Sequence, residues 1–269
     1  MIRLPAVAGQ FYPDNPQELF ALVEQYTLRN TNQRKVHARA CLVPHAGYVY
    51  SGHVAGAVFS GLLLPKKIVI LGVRHYPRGE ALAIVSAGKW RTPLGDVPID
   101  RELAGRVSAA CPALREDELA HRGEHSLEVE LPFLQVLDPE FTFVPVAVGT
   151  LGYPELVELG EGLARVLAES AQEILVVTSS DMNHYEDDER TRWKDRQAIE
   201  SIERVDAPGL YEVCRRHSIS MCGLGPAVVV LTALKKLGVK KGELVRYATS
   251  GDVSGDRERV VGYAGMIFA

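Results

Sequence analysis

The chain has 269 residues, 46% of them hydrophobic and 24% charged, which is enough to bury a sizeable core in one large domain. Its 30 Lys and Arg against 34 Asp and Glu give a formal net charge of −4 at pH 7, and this balance argues against a nucleic-acid or anionic-membrane surface. Residues 1–7 lack the apolar stretch of a signal peptide, and the longest nearly apolar segment, 54–65, is too short to cross a bilayer. We therefore expect a cytoplasmic protein with neither nucleic-acid nor membrane partners.

Short β-branched runs alternate with longer amphipathic segments along the whole chain, a pattern typical of a sheet that carries helices on its faces. The predicted strands are 39–43, 67–71, 81–86, 141–148, 173–178, 243–248 and 259–268. The predicted helices are 53–63, 101–109, 126–137, 153–168, 189–205, 208–216 and 225–237. A first helix begins near Asn15-Pro16, with an apolar face of Leu19, Phe20, Leu22, Val23 and Tyr26. No repeat or long linker divides the chain, so we predict a single α/β domain over 1–269.

Three of the predicted strands are each followed, within a few residues of the carboxyl end, by a histidine in a loop. These are His45 in CLVPHAGY, His75 in IVILGVRHYP and His184 in VVTSSDMNHYE, where Asp181 is a second residue able to move protons or bind a metal. Ligands of open α/β sheets bind beyond the carboxyl ends of the strands, so the three histidines could converge on one pocket. Any one of them alone is more simply a solvated loop residue.

Cys222 precedes a Gly-Leu-Gly-Pro segment and a strongly apolar run, which places it at or just before a helix N-terminus. The macrodipole and the free N–H groups there favour a thiolate. The simpler interpretation is a small apolar residue buried at a helix entrance. Cys41, Cys111 and Cys214 lie in strand-like or helix-like surroundings typical of structural thiols, and no CxxC spacing indicates a disulfide.

The stretch RGEHSLEVELPFLQVL places Glu124, His125 and Ser126 at a predicted helix start. Ser126 is a candidate N-cap, which needs no further function. His125 is either an exposed loop imidazole or a residue that points into the same crevice as the other histidines. Glu128 and Glu130 lie on different faces of the helix, and we expect both to be solvated.

Together these motifs resemble the Memo family, which includes the AmmeMemoRadiSam system protein B. The resemblance extends over nearly the whole chain and rests on the number and order of the motifs. They are AGQFYP (8–13), VPHAGYVYSG (43–52), RTPLG (91–95), EHSLEVELPFL (124–134), VPVAVG (144–149), SSDMNHY (179–185), MCGLGP (221–226), YATSGD (247–252) and GYAGMIF (262–268).

The resemblance implies the fold of the class III extradiol dioxygenases, with a central parallel or mixed sheet flanked by helices. Those non-haem iron enzymes hold Fe(II) with two histidines and one carboxylate. In the Memo family the histidine positions match His45 and His75, and a cysteine, matched by Cys222, takes the place of the carboxylate. These three residues are therefore the expected metal ligands.

The resemblance also implies catalytic roles for three further residues. His184 matches the acid–base histidine of the dioxygenases, and we expect Asp181 beside it to set its orientation and basicity. His125 is the expected second-sphere or substrate-facing imidazole.

Two imidazoles and one thiolate leave coordination positions open, as a catalytic metal requires. The relation to iron enzymes favours Fe(II), whereas thiolate ligation favours copper or zinc, so we expect iron first, copper second and zinc third. The residues predict a metal-dependent redox enzyme acting on a small molecule. The alternative is a non-catalytic scaffold that binds a peptide or a small anion in the same pocket, for which Arg74 and Arg78 supply positive charge. A further alternative is a metal-free protein.

Overall fold

The structure is a computed structural model that describes residues 1–28 and 35–269. The predicted helices and strands lie along the chain in the order that the sequence predicts. The strands are β1 (Ile2–Arg3), β2 (Ala40–Val43), β3 (Lys67–Val73), β4 (Leu82–Ile84), β5 (Lys89–Thr92), β6 (Gly95–Pro98), β7 (Arg115–Glu116), β8 (Thr142–Val148), β9 (Ile174–Ser179), β10 (His184–Glu186), β11 (Glu243–Thr249) and β12 (Val260–Phe268). The helices are α1 (Pro16–Leu28), α2 (Tyr48–Ser60), α3 (Arg101–Ala110), α4 (Leu119–Arg122), α5 (Leu131–Leu137), α6 (Tyr153–Ala168), α7 (Asp188–Glu203), α8 (Ala207–Arg216), α9 (Leu224–Lys236) and α10 (Gly251–Ser254).

A mixed sheet forms the centre of the domain. Its middle strands run in the order β2-β9-β3-β8, and each neighbouring pair is parallel. Antiparallel strands extend both sides, β12 beside β2 and β4 beside β8, and β10 and β11 pair with β12. A small second sheet contains β1, β5 and β6. This architecture is the predicted α/β domain, and it is consistent with the fold of the class III extradiol dioxygenases.

Helices cover both faces of the central sheet, so its strands are apolar on both sides. On β3, Ile68 and Ile70 face the core layer that contains α1, α2 and α5. Val69 and Leu71 face the opposite layer, with α3, α6, α7, α8 and α9. The sheet is thereby held rigidly, and this fixes the positions at which the loops leave the carboxyl ends of its strands.

Most of the predicted elements are confirmed to within a few residues, and α6 matches its predicted bounds. The sequence did not predict β1, β5, β6, β7 and β10 or the short helices α4 and α10. α1 begins at Pro16 as expected, and Asn15 caps it, since its Oδ1 accepts from the N–H groups of Gln17 and Glu18 at 2.9 and 3.0 Å. Phe20 does not belong to the buried face of α1, because 46% of it is exposed.

Two expectations for the 126–137 segment are wrong. Ser126 does not cap a helix, because its hydroxyl donates to the carbonyl of Val73 at 2.9 Å and α5 begins only at residue 131, after a 3-10 turn over Glu128–Glu130. Glu128 and Glu130 are not solvated, since both are fully buried. The turn replaces the predicted first helical turn and directs both carboxyl groups inward.

Within residues 1–28 and 35–269, none of the helices combines the length and the apolar composition that a membrane span requires.

Candidate metal centre

The adjacent strands β2, β9 and β3 carry His45, the 179–184 segment and His75 just beyond their carboxyl ends. The rings of His45 and His75 lie 5.1 Å apart between centroids. Both line a pocket of about 530 Å³ that also contains His125, His184 and Cys222. Three neighbouring parallel strands therefore deliver residues from distant parts of the chain to one place, as ligand sites at sheet ends require.

His45 is the buried member of the group. Its backbone N–H donates to Asp181 Oδ1 at 2.8 Å, and its Nδ1 contacts Ser179 Oγ at 2.7 Å. The Ser179 hydroxyl donates to Glu130 Oε1 at 3.0 Å, so it accepts from Nδ1–H and leaves Nε2 unprotonated. Burial, with the nearby His75, lowers the pKa of His45 to about 3. The ring is thus neutral and has one nitrogen available as a ligand.

His75 is the partly exposed member, with 27% of its side chain accessible. Glu124 holds it in two places, accepting from its backbone N–H at 2.6 Å and from Nδ1 at 2.9 Å. Burial tends to raise the pKa of Glu124, but hydrogen bonds from His75 and Ser126 outweigh it and lower that pKa to about 2. A buried carboxylate therefore orients the His75 ring so that its Nε2 is free.

His125 completes a group of three imidazoles. Its ring stacks on His75 at 4.6 Å and lies edge-on to His45 at 5.5 Å. One ligand nitrogen from each of the three rings lies within 4.8 Å of the other two, a spacing at which they can bind one metal ion. Burial, with His45, lowers the pKa of His125 to about 4. Its buried Nδ1 has no hydrogen-bond partner among the described residues, although Glu124 Oε1 lies 3.6 Å away. The predicted second-sphere histidine therefore lies among the possible ligands themselves.

Cys222 lies directly before α9, as predicted, and adjoins the imidazole group. Its Sγ is 3.2 Å from His45 Nε2 and accepts from the Asp181 N–H at 3.2 Å. A Cβ on Gly223 would come within 2.3 Å of Ser180, so glycine permits this close approach. The expectation that the helix N-terminus favours a thiolate does not hold here, because burial and the Asp181 charge raise the pKa of the thiol. The thiol is the favoured form unless a cation lies beside it.

His184, on β10, also lines the pocket. Its Nδ1 donates to the carbonyl of Ser220 at 2.9 Å, and its backbone N–H donates to the Ser220 hydroxyl at 2.8 Å. Ser220, and not Asp181 as expected, is the hydrogen-bond partner that orients the ring. The Asp181 carboxylate instead accepts from His45 N–H, and burial raises its pKa although nearby His184 opposes the rise.

Several residues of this site carried no functional expectation. Ser179 and Glu130 support His45, Ser220 orients His184, and Phe11 and Tyr185 form part of the apolar wall. Tyr185 has a left-handed backbone with φ 61°, a strained conformation that places its ring at the pocket rim. Apart from Phe11, each lies within, or one residue before, a motif that contains a candidate site residue.

The four cysteines are free thiols, so no disulfide constrains these loops. Fold and site together define an α/β protein with a candidate metal centre of imidazole donors at the carboxyl ends of parallel strands.

The comparisons with known proteins give the family. The model of the Memo-like protein family matches residues 3–267, and the chain belongs to this family. The MEMO1 family protein MK0963 of Methanopyrus kandleri is 42% identical over 280 residues, which cover 100% of this chain and 99% of that protein. The MEMO1 family protein Mbar_A1422 of Methanosarcina barkeri is 41% identical and covers 99% of each chain.

A solved structure shares the fold at low sequence similarity. The crystal structure of the uncharacterized protein JW3007 from Escherichia coli K12 superposes with a TM-score of 0.56 at 14% identity, covering 86% of this chain and 100% of that one.

Proposed function

We propose that this protein is a metal-dependent redox enzyme, with His45, His75 and Cys222 as ligands and Fe(II) as the preferred ion ahead of copper and zinc. The observation that carries the proposal is the convergence of His45, His75 and His125, whose ligand nitrogens lie within 4.8 Å of one another, with the Cys222 sulfur 3.2 Å from His45 Nε2. The fold of the dioxygenases supports iron, while the sulfur keeps copper and zinc as competitors.

The residues fit a bound cation. The pKa of His45 and that of His125 are lowered, so both rings are neutral, as ligation requires. Nδ1 of His45 and of His75 is occupied by Ser179 and Glu124, which fixes each ring and leaves Nε2 as the donor. A cation would also favour the thiolate of Cys222, whose pKa is otherwise raised.

A redox-active ion bound here supplies Lewis acidity and one-electron chemistry. The chain's own residues then bind and protonate a small substrate. The apolar wall that includes Phe11 and Tyr185 accommodates an uncharged part of it. His184, whose Nδ1 is held by Ser220, accepts or returns a proton at Nε2, a contribution of roughly 10²- to 10⁴-fold for a positioned base.

Metal content tests the ligand set. Protein purified without oxygen is expected to hold about one ion per chain by elemental analysis, and His45→Ala, His75→Ala and Cys222→Ser are each expected to lose it. His37→Ala is the matched control, because His37 is an exposed histidine paired with Glu173 outside the site.

His125→Ala decides between the two possible third ligands. Retention of the ion in this variant, with loss in Cys222→Ser, supports the proposed set. Loss in His125→Ala with retention in Cys222→Ser would replace the sulfur by a third imidazole. Full metal content in His45→Ala and His75→Ala would reject the site.

Oxygen consumption tests catalysis separately. Consumption with a small organic reductant or phenolic substrate, abolished in His184→Ala while the metal stays bound, supports an enzyme. A metal-loaded protein that binds a peptide or a small anion without turnover would support the non-catalytic alternative. The anion form of that alternative is weakened by Arg74, whose guanidinium is held by the carbonyl of Gly79 at 2.7 Å.

A further inference from the structure

Asn183 is a buried amide that directly precedes His184 in the chain. It is 1% exposed. Its backbone N–H donates to Asp195 Oδ1, on α7, at 2.8 Å, and its carbonyl accepts from the N–H of Gly262, on β12, at 2.9 Å. Asp195 is itself fully buried, and a Cβ at Gly262 would overlap its Oδ2. The backbone of Asn183 is therefore held closely between α7 and β12.

The hydrogen-bond partners of the Asn183 side chain allow one orientation of its amide. Nδ2 donates to Glu186 Oε2 at 2.7 Å. Burial tends to raise the pKa of Glu186, but hydrogen bonds from Lys194 and Asn183 outweigh it and lower that pKa, which favours a carboxylate that only accepts. The other amide atom faces the N–H of Ser220 at 3.1 Å and its hydroxyl at 3.2 Å. An N–H needs an acceptor, so the atom that faces Ser220 is Oδ1.

Ser220 contacts both Asn183 and His184. Its hydroxyl donates to Asn183 Oδ1 and accepts from the backbone N–H of His184 at 2.8 Å, and its carbonyl accepts from His184 Nδ1 at 2.9 Å. Because a carbonyl oxygen only accepts, Nδ1 carries the proton of the neutral ring and Nε2 is unprotonated. Ser220 is an exposed residue of the loop between α8 and α9, so its bonds to a buried amide hold its carbonyl in place.

We propose that Asn183 is a positioning residue, whose buried amide fixes the Ser220 carbonyl and thereby holds His184 in the tautomer with a proton on Nδ1 and none on Nε2. The inference rests on the proposed acid–base role of His184, because that role needs an Nε2 that can accept a proton. Asn183 is not among the described residues that line the metal pocket, so it acts through Ser220.

The tautomer of His184 is measured by ¹⁵N NMR of the full chain without metal at pH 8, where an imidazole is ordinarily neutral. His184→Ala assigns the resonances. The form with Nδ1–H is expected to predominate in the wild-type protein. Asn183→Ala removes the acceptor of both Ser220 donors, and the ratio of the Nδ1–H form to the Nε2–H form is expected to fall about tenfold, the effect of one hydrogen bond. A wild-type ring that carries its proton mainly on Nε2 would overturn the proposal without any variant.

Tyr247→Phe is the matched control for a general loosening of the buried network. The Tyr247 hydroxyl donates to Asp195 Oδ2 at 2.7 Å, so the variant removes a hydrogen bond next to the backbone of Asn183 and leaves the side-chain amide in place. The tautomer ratio of His184 is expected to stay at its wild-type value. A fall as large as that in Asn183→Ala would overturn the proposal, because loosening would then account for both.

An exchange of two side chains protects the test against a variant that does not fold. Asn183→Asp combined with Glu186→Gln swaps the amide and the carboxylate, keeps an oxygen toward Ser220 and leaves the total charge unchanged. This double variant is expected to restore the wild-type tautomer ratio. Asn183→Asp alone brings two carboxylates together and is expected to lower the ratio. A folded double variant with the ratio of Asn183→Ala would overturn the proposal.

Oxygen consumption of the metal-loaded proteins separates this inference from the proposed function. Turnover is expected to fall in Asn183→Ala and to recover in the double variant. An unchanged tautomer ratio in Asn183→Ala overturns the positioning role and leaves the proposed function standing. A tautomer shift in a protein whose wild type consumes no oxygen overturns the proposed function and supports the positioning of His184 by Asn183.

Discussion

Glu128 and Glu130 lie two residues apart on one 3-10 turn, and both are fully buried, yet their surroundings differ completely. Glu128 accepts hydrogen bonds from four groups and forms an ion pair. These groups are the Arg3 guanidinium, the Tyr12 hydroxyl and the N–H groups of Ala6 and Val7. Glu130 accepts one, from the Ser179 hydroxyl, and no described residue pairs with its second oxygen.

Burial alone does not decide the role of a carboxyl group, because its hydrogen-bond and ion-pair partners differ from site to site. Glu128 forms an ion pair with the buried Arg3 guanidinium, and it holds the N-terminal segment against the domain. Burial raises the pKa of Glu130 well above its usual value, which favours the neutral acid behind the Ser179–His45 pair. One carboxyl group is structural, and the other belongs to the surroundings of the candidate metal centre.

The largest effect is expected from removing the charge of Glu128. Glu128→Gln leaves the Arg3 guanidinium buried without a counter-charge, and we expect a loss of about 3–5 kcal/mol in the free energy of unfolding, measured by urea denaturation at pH 7. Glu130→Gln is the matched control and is expected to lose no stability at this pH. A loss below about 1 kcal/mol, the value of an exposed pair, would contradict the role given to Glu128.

A smaller loss is expected from removing one of the hydrogen bonds to Glu128. Tyr12→Phe deletes a buried hydroxyl that donates to this charged group, and about 1.5–3 kcal/mol of unfolding free energy is expected to disappear. Tyr76→Phe, in a side chain that is half-exposed, serves as the control and should leave the urea midpoint unchanged. Equal urea midpoints for Tyr12→Phe and Tyr76→Phe would show that the other hydrogen-bond donors to Glu128 are enough to maintain the stability of the fold.

The link between Glu130 and His45 is expected to affect metal binding more than folding. Ser179→Ala removes the acceptor of His45 Nδ1–H, and the affinity for the metal should fall about 10- to 100-fold, measured by competition with a chelator. Ser60→Ala is a suitable control, because Ser60 is a buried serine whose hydroxyl donates to the carbonyl of Ala57 within α2. An unchanged affinity in Ser179→Ala would argue that His45 needs no support to bind the ion.

The smallest effect, counted per pH unit, is expected from the titration of Glu130, which changes the free energy of unfolding gradually with pH. An acid whose pKa is raised on folding holds a proton that the unfolded chain has lost, so wild-type stability falls as pH rises above the ordinary glutamate pKa. Glu130→Gln should remove a slope of up to about 1.4 kcal/mol per pH unit, seen by comparing urea unfolding of both metal-free proteins at pH 5.5 and 8. Parallel curves for the two proteins would mean that Glu130 is ionised in the fold.

Local patterns predicted the regular elements well where the segment buries a continuous apolar face. The helix Tyr153–Ala168 matches its predicted bounds, because Pro154 stands in its first turn and its apolar residues recur with helical period. The hairpin of β5 and β6 was missed, since charged Arg91 and Asp96 interrupt it and no β-branched run marks it. Its strands form because Trp90 and Val97 pack into the core, a contact with distant residues.

The sequence likewise predicted only some features of the candidate site. The position of His45, His75 and His184 after strand ends was visible in the sequence, because strands and loops leave local signals. The proximity of His125 to the possible ligands and the partner of His184 were not, since both depend on how separate loops pack.

Local patterns in the sequence predict the order of the elements and the residues that follow each strand, because hydrophobic periodicity and turn residues act over a few neighbouring positions. The packing of distant segments sets the surroundings of each carboxyl group, the hydrogen-bond partner of each histidine nitrogen and the set of residues around one point. The physical reason is that pKa values and ligand geometry depend on burial and on donors within a few ångströms. In this protein those donors come from segments more than a hundred residues apart, as with Arg3 and Glu128 or His45 and Cys222.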